Sequence, residues 1–362
     1  MSDPGVMAQI LDLARWAPSG DNTQPWRFEV QDATHLVVHG SDTRTHCVYD
    51  LDGHPSQISL GALIETIAIA ASGHGLQMSV NRRDGLPETG PSFDLRFTPD
   101  PDLQPSPLIN AIPLRSVQRR PYSARALTPA EKQTLEVSLS PGYQLRWFEG
   151  LAPKWQMARL MFRNAGLRLT LREAFEVHRD IIHWGRRFSP DRVPDQALGA
   201  DALTLKLMRW AMQDWARLQF LNKWLAGTWA PRLQMDLLPG LLCGAHFVLL
   251  RGSAPSQLDD YVDAGRVVQR LWLTATALGL QHQPELTPLI FARYVREGRP
   301  FSDSPAAQAL ARHLADQSQR LIGTDLPRAV WIARIGQAPV ASSRSVRRSR
   351  SELSLPVPDP NQ

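Results

Sequence analysis

The sequence predicts an α+β fold of two related lobes, each with a central helix packed on an antiparallel-type sheet, plus a helical insertion. Three observations carry that expectation. LGALIETIAIAASGHGLQ from Leu60 lies over AGRVVQRLWLTATALGLQ from Ala264 without a gap, 204 residues later. Gly61 aligns with Gly265, Ala71 with Ala275, and Gly75-Leu76-Gln77 with Gly279-Leu280-Gln281, so this is an internal repeat and not a general likeness of apolar helices. A strand pattern precedes each copy, at 35–39 and 245–250, and residues 153–237 read as mainly helical and rich in tryptophan. The expected organisation is a first lobe at 1–112, a second at 113–150 and 238–350, an insertion or lid at 151–237 and a mobile tail at 351–362.

In chain order, apolar spacing predicts a helix over 9–16 that stops at Pro18. Ser19 to Thr23 then form a polar loop, and Gln24-Pro25-Trp26 leads into a strand at 27–30, paired with 35–39. Asp50, Asp52, Gly53 and Pro55 make a turn before a helix at 56–72, whose only charge is Glu65 and which should therefore be buried all round. Residues 86–113 are dense in proline and read as an extended crossover with a short strand at 93–97. Thr128-Pro129-Ala130-Glu131 is a capping box opening a helix to about Leu139, followed by a strand at 143–148. In the insertion Trp155, Trp184, Trp210, Trp215, Trp224 and Trp229 read as core aromatics, interrupted by a turn at Ser189-Pro190-Asp191. A helix at 304–315 and a last strand at 329–335 close the pattern.

Composition narrows the functional classes. The chain has 362 residues, is 43% hydrophobic and carries a formal net charge of +5. No run of about 18 apolar residues predicts a membrane span, and the opening residues lack the basic and apolar regions of a signal peptide, so a cytoplasmic location is expected. Cys47 and Cys243 have no metal spacing and read as core thiols. Basic clusters at 115–120 and 344–350 could meet nucleic acid, a membrane surface or a phosphate-bearing cofactor, but they lack the interleaved aromatics of nucleic-acid modules. Neither a nucleic-acid nor a membrane partner is expected. No P-loop, G-x-G-x-x-G, G-x-S-x-G or H-E-x-x-H occurs, and His178 and His183 do not share a helix face as metal ligands would.

Against that background APSGDNTQPWRF, Ala17 to Phe28, resembles the PS-x-x-N-[ST]-QPW signature of the nitroreductase family. The resemblance implies FMN as cofactor, NAD(P)H as presumed electron donor and a small-molecule acceptor, with hydride passing through the flavin by a ping-pong cycle. It implies contacts from Pro18, Ser19, Asn22 and Gln24. Arg115-Ser116-Val117-Gln118-Arg119-Arg120 is similar to the family's R-x-S-x-[RK] phosphate motif, with the serine one position early, which implies Arg115, Ser116, Arg119 and Arg120 at the phosphate. Arg344, Arg347 and Arg348 resemble the C-terminal basic segment that completes that site. Gly279-Leu280 through Pro284 resembles Gly-Leu-x-x-x-Pro, after which backbone at Glu285, Leu286 and Thr287 would face the reactive flavin edge. In the family the loop and the arginines of one site come from different subunits. Here the first lobe has the loop and the second the arginines, which implies one site per chain in a monomer with an internal pseudo-dimer, as in the fused Acg-type subgroup. His178-Arg179-Asp180 through Gly199 resembles a segment of that subgroup. Flavin storage without turnover, the site closed by the insertion, is the alternative expectation, and nucleic-acid binding a weaker one.

Overall fold

The computed structural model describes residues 4–224 and 227–356. Its first half runs α1 (Pro4–Ala14), β1 (Trp26–Asp32), β2 (His35–Gly40), α2 (His54–Ser72), β3 (Leu76–Arg82) and β4 (Ser92–Pro99). The four strands form one antiparallel sheet in the order β1-β2-β4-β3. The chain continues through α3 (Pro129–Val137) and β5 (Tyr143–Phe148). The 149–244 segment carries α4 (Leu151–Arg168), α5 (Arg172–Ile181), the two-residue strands β6 (Ile182–His183), β7 (Phe188–Ser189) and β8 (Val193–Pro194), α6 (Ala202–Ala211), α7 (Trp215–Trp224), α8 (Trp229–Arg232) and α9 (Leu238–Leu241). After it come β9 (Ala245–Arg251), α10 (Leu258–Ala277), β10 (Leu280–Pro284), α11 (Thr287–Arg296), α12 (Pro305–Ile322), β11 (Ala329–Gln337), β12 (Arg344–Ser345) and α13 (Arg350–Leu353). The second antiparallel sheet has the order β5-β9-β11-β10, the same connectivity as the first. Where the first sheet has a tight turn between β1 and β2, the second has the whole 149–244 segment.

The two halves meet along α2 and α10. A Cβ added at Gly61 would lie 1.8 Å from the Val262 carbonyl oxygen, and one at Gly265 would lie 2.0 Å from that of Ile58. Only glycine lets the backbones approach so closely at the crossing. One turn on, the Glu65 carboxylate accepts from Arg266 Nε at 3.1 Å and Arg270 Nε at 2.8 Å, and Gln269 donates to Thr66 Oγ1 at 2.9 Å. The first core lies between α1, α2 and the first sheet; the second lies between α3, α10 and the second sheet. A third layer of α4, α11 and α12 covers the outer face of the second sheet.

Several boundaries differ from the expectations. The first helix starts at Pro4 and ends at Ala14. The proline-dense segment is more than a crossover, because β4 is an inner strand and β3, whose Leu76, Met78 and Val80 alternate with polar residues, pairs beside it. Helix α11 was not foreseen. The tryptophans of the insertion are mostly not core: Trp155, Trp210, Trp224 and Trp229 are exposed, since the helices carrying them have no outer layer against their far side. The capping box of α3 forms as expected, Thr128 accepting from the Glu131 amide. The expected mobile tail begins instead with the capped turn α13; Leu353 is buried, and Leu355 donates to the Phe28 carbonyl at 2.7 Å. Residues 357–362, the remainder of that tail, lie outside the described residues. Both cysteines are buried free thiols, and no helix of the described residues is long and apolar enough to cross a membrane.

Candidate functional site

A cavity of about 300 Å³ lies where α2, α10, the 18–22 loop and the C-terminal segment converge. Pro18, Ser19, Asn22, Arg115, Ser116, Arg119, Leu286, Thr287, Arg344 and Arg347 all line it. Four other predicted residues do not, Glu285 among them because it is buried behind the wall. Gln24 is buried beneath the loop, Arg120 opens onto a separate groove, and Arg348 meets the loop through its backbone.

The loop is held in a sparsely populated backbone conformation. Asp21, Asn22 and Gln24 have φ of +50°, +64° and +51°, in the left-handed region that ordinary residues avoid. Such strain persists only where neighbouring contacts over-determine it, and it clusters at functional sites. Those contacts come from the two side chains expected to touch a ligand. Gln24 Nε2 donates to the Pro190 carbonyl at 2.8 Å, its Oε1 accepts from the Arg348 amide at 3.0 Å, and Asn22 Nδ2 donates to the Val346 carbonyl at 3.1 Å. Gln24 is therefore a staple joining the loop to the insertion and the C-terminal segment. Its position off the cavity wall was not readable from the motif.

One end of the cavity concentrates positive charge. The Arg115 guanidinium lies 4.5 Å over the Trp272 ring, which stacks on His282 at 4.4 Å, and its Nη2 donates to the Trp16 carbonyl at 3.1 Å. Arg347 Nε donates to the Ala17 carbonyl and Arg344 Nη1 to that of Pro113, each at 2.9 Å. None of the three forms an ion pair among the described residues. Burial, then the neighbouring Arg347 and Arg344, holds Arg115 well below the usual arginine range. Burial with Arg344 and Arg15 brings Arg347 down to about 9. Arg115 Nε and the Ser116 hydroxyl are buried without a partner. Buried cations with unpaired donors and no counter-ion are costly, and an incoming anion relieves that cost.

The insertion contributes Arg168, His178, Val193 and Ala197 to the lining. His178 accepts or donates at 3.1 Å to the Tyr49 hydroxyl, and burial with the nearby Arg168 brings its pKa down to about 3, so it is neutral at pH 7. Burial raises Asp21, opposed by Arg119 and Arg168. Burial brings Arg119 down to about 10 against the pull of Asp21.

Beneath Leu286 and Thr287 lies a charged triad that motif reading passed over. Glu285 accepts from His246 Nδ1 at 2.8 Å and from Arg334 Nη1 at 2.9 Å, all three side chains being buried. The other imidazole nitrogen of His246 faces the Gly240 carbonyl at 2.9 Å, so both ring nitrogens meet acceptors and the ring is an imidazolium. Burial opposes that charge, but the Glu285 carboxylate outweighs it and raises the pKa to about 10. Arg334 Nη2 also donates to the carbonyls of Arg119 at 3.2 Å and Met235 at 3.1 Å. The triad thus fixes the start of α11, the 115–119 segment and the insertion to one another. The available signal was a histidine and an arginine inside the otherwise apolar strands AHFVLL and AVWIARI. No group of three or more His, Cys, Asp or Glu residues among the described residues could hold a metal ion.

No family model matches the chain. It is similar to two Mycobacterium tuberculosis proteins provisionally named NAD(P)H nitroreductases, from strains CDC 1551 / Oshkosh and ATCC 25618 / H37Rv. Each is 31% identical over 122 residues, which is 33% of this chain and 35% of the relative. The match thus spans about a third of the length of those relatives. Among solved structures, a nitroreductase-like family protein from Bacillus cereus overlaps 70% of this chain and 97% of its own at 13% identity and a TM-score of 0.35. A Bacteroides fragilis nitroreductase with bound FMN covers 64% of this chain and 88% of its own at 10% identity and 0.32. The FMN-dependent nitroreductase NfnB from Mycobacterium smegmatis, in complex with NADPH, covers 67% and 94% at 14% and 0.33. These superpositions are loose, and the site stands on its own geometry.

Proposed function

We propose that the chain is an FMN-binding, nitroreductase-like oxidoreductase that takes electrons from NAD(P)H and passes them to a small acceptor such as a nitro compound or a quinone. The observation that carries this reading is that Arg115, Arg344 and Arg347 share one cavity with the orphaned Ser116 hydroxyl and the strained 18–22 loop. The residues fit the cofactor: guanidinium forks match a phosphate dianion, and the site has buried donors in want of an acceptor. FMN bound there would supply two-electron hydride transfer in alternating half-reactions. The chain would hold the phosphate with Arg115, Arg344, Arg347 and Ser116. Leu286 and Thr287 open α11, where Pro288 has no amide hydrogen and Leu289 already donates to the Leu286 carbonyl at 2.9 Å, so the Thr287 amide is the first-turn donor that could reach a flavin edge. Asn22 and Gln24 would act indirectly, by holding the loop in shape.

The shared strand connectivity and the reciprocal Gly61–Gly265 crossing support two fused nitroreductase-like lobes, an internal pseudo-dimer in a monomeric chain. Residues 138–142, which join α3 to β5, are far shorter than 15–25, which join α1 to β1, so a second copy of the loop has no room to form. This supports one flavin per chain. A second reading, flavin storage, draws on the insertion, because Arg168, His178, Val193 and Ala197 wall the cavity.

Flavin release and quantification should give one FMN per chain. Arg115→Ala and Arg347→Ala should each weaken FMN by about 10–100-fold, the loss of a charge-assisted contact of about 1.5–3 kcal/mol, and weaken riboflavin much less. Equal weakening of FMN and riboflavin would refute the phosphate role. Rapid bleaching of the bound flavin by NADH or NADPH supports the oxidoreductase; bleaching by dithionite alone supports storage.

A further inference from the structure

The groove onto which Arg120 opens, not used above, has a volume of about 810 Å³. Four cations line it: Arg120, Arg187, Lys206 and Arg209. Its two carboxylates are already engaged. Asp195 accepts from the amides of Gly185 at 3.0 Å, Arg186 at 3.1 Å and Gln196 at 2.9 Å. Asp201 caps α6, accepting from the Leu203 and Thr204 amides at 2.8 and 3.0 Å, and also takes the Gln234 amide. Neither forms an ion pair with a groove cation. Arg187 Nε donates to the Ser342 carbonyl at 2.6 Å and Arg120 Nη2 to that of Gln196 at 3.3 Å, which orients both but leaves their charge uncompensated. Lys206 and Arg209, one turn apart on α6, make no hydrogen bond or ion pair within the described residues. Hydroxyls of Ser342 and Ser343 and the Gln196 amide add neutral donors. The groove is therefore selective for an anion with more than one charged group.

Its position says which. Ser343 lines both the groove and the candidate flavin cavity, and the partition between them is made of neighbours in sequence, Arg119 facing the cavity and Arg120 the groove, Ala197 the cavity and Gln196 the groove. An elongated ligand with a flat head in the cavity would place a phosphorylated tail in the groove. We infer that this groove binds the phosphorylated adenosine end of the reduced dinucleotide donor, with Lys206 and Arg209 taking the 2′-phosphate, so that the chain uses NADPH in preference to NADH. The inference rests on the donor assignment above for its biological setting, but the binding site itself is testable without turnover.

The test is titration of the full chain, as purified with its flavin, with adenosine 2′,5′-bisphosphate, 5′-AMP and inorganic phosphate, in wild type and in Lys206→Ala/Arg209→Ala. Neither side chain has an internal partner, so the double variant should fold and keep its flavin. The bisphosphate should bind at least tenfold more tightly than 5′-AMP or phosphate, weaken with added salt, and lose about tenfold or more in the double variant. Where NADPH bleaches the flavin, the double variant should raise KM for NADPH with kcat unchanged and leave NADH unaffected. Bisphosphate binding that fails to exceed 5′-AMP or phosphate, or that survives in the double variant, overturns the groove assignment even if NADPH reduces the flavin. Binding with the expected selectivity, but with no reduction by either nicotinamide, upholds the groove and overturns the donor.

Discussion

Both sheets carry a His–carboxylate–Arg triad, and the two are in opposite surroundings. On the first sheet His35 meets Asp94 at 2.7 Å and Arg83 meets the same carboxylate at 2.9 Å, with side-chain exposures of 13, 22 and 38%. On the second, His246, Glu285 and Arg334 make the corresponding contacts at exposures of 0, 5 and 2%. The cause is the layer of α4, α11 and α12, which buries β9 and β11 on both faces while β3 alternates buried and exposed. A sheet covered on both faces needs near-continuous apolar strands, and any charge left there must be paired. The same chemistry therefore does different work. On the first sheet it decorates a solvated face; on the second it locks together the parts that shape the cavity.

The largest expected effect tests whether the halves are equivalent where they touch. Gly61→Ala and Gly265→Ala each drive a methyl group into the partner helix's backbone, and a flexible side chain cannot absorb the clash. Each should cost about 4 kcal/mol or more, in the upper tail of single substitutions, as read by urea denaturation. Similar losses would uphold a reciprocal crossing. A near-neutral result at one glycine and collapse at the other would show that the halves do not share the contact equally.

The triads come next. Glu285→Gln strands an imidazolium and a guanidinium in a buried site and should cost about 3 kcal/mol or more. Asp94→Asn removes a carboxylate from a partly solvated pair and should cost about 1 kcal/mol or less. Glu285→Gln should also loosen the start of α11, read as faster amide exchange at 286–290, whereas Asp94→Asn should leave those amides unchanged. Equal costs for the two substitutions would remove the contrast on which the comparison stands.

The crossing of α2 and α10 was legible because two glycines and a Gly-Leu-Gln exit recur in register, and contacts between helix backbones leave a local imprint. The loop and most of the arginines were legible because short motifs carry them. Gln24 and Arg348 were misplaced for a physical reason: a motif records that a residue is needed, and stapling a strained loop needs it as much as touching a ligand does. The buried triad escaped because its members are far apart in sequence and meet only through the pairing of β9 with β11 and the turn after β10. The exposed tryptophans escaped because helical spacing shows that a residue faces one way, and not whether another layer lies beyond it.

A pH dependence separates the buried triad from the rest of the charge. His246 has its folded pKa raised to about 10, against about 6.5 for an unfolded histidine, so its contribution is fully present below about 6.5 and is lost as pH rises through 10. Glu285 is held below the usual carboxylate range, by His246 and Arg334 against the effect of burial, so its contribution is lost only on acidification, outside this window. Two cavity cations titrate in the same range with the opposite sign. Arg347, brought down to about 9, and Arg119, brought down to about 10, are destabilising while charged, so their deprotonation favours the fold as pH rises. The raw melting curve mixes these contributions, and the informative quantity is the difference between the chain and His246→Gln. That difference should be largest at and below about pH 6.5 and shrink by pH 10, with a change in Tm of about 1–2 °C for each kcal/mol involved. A constant offset between the two proteins across the window would mean that His246 is not charged in the fold. The triad would then reduce to the Glu285–Arg334 pair.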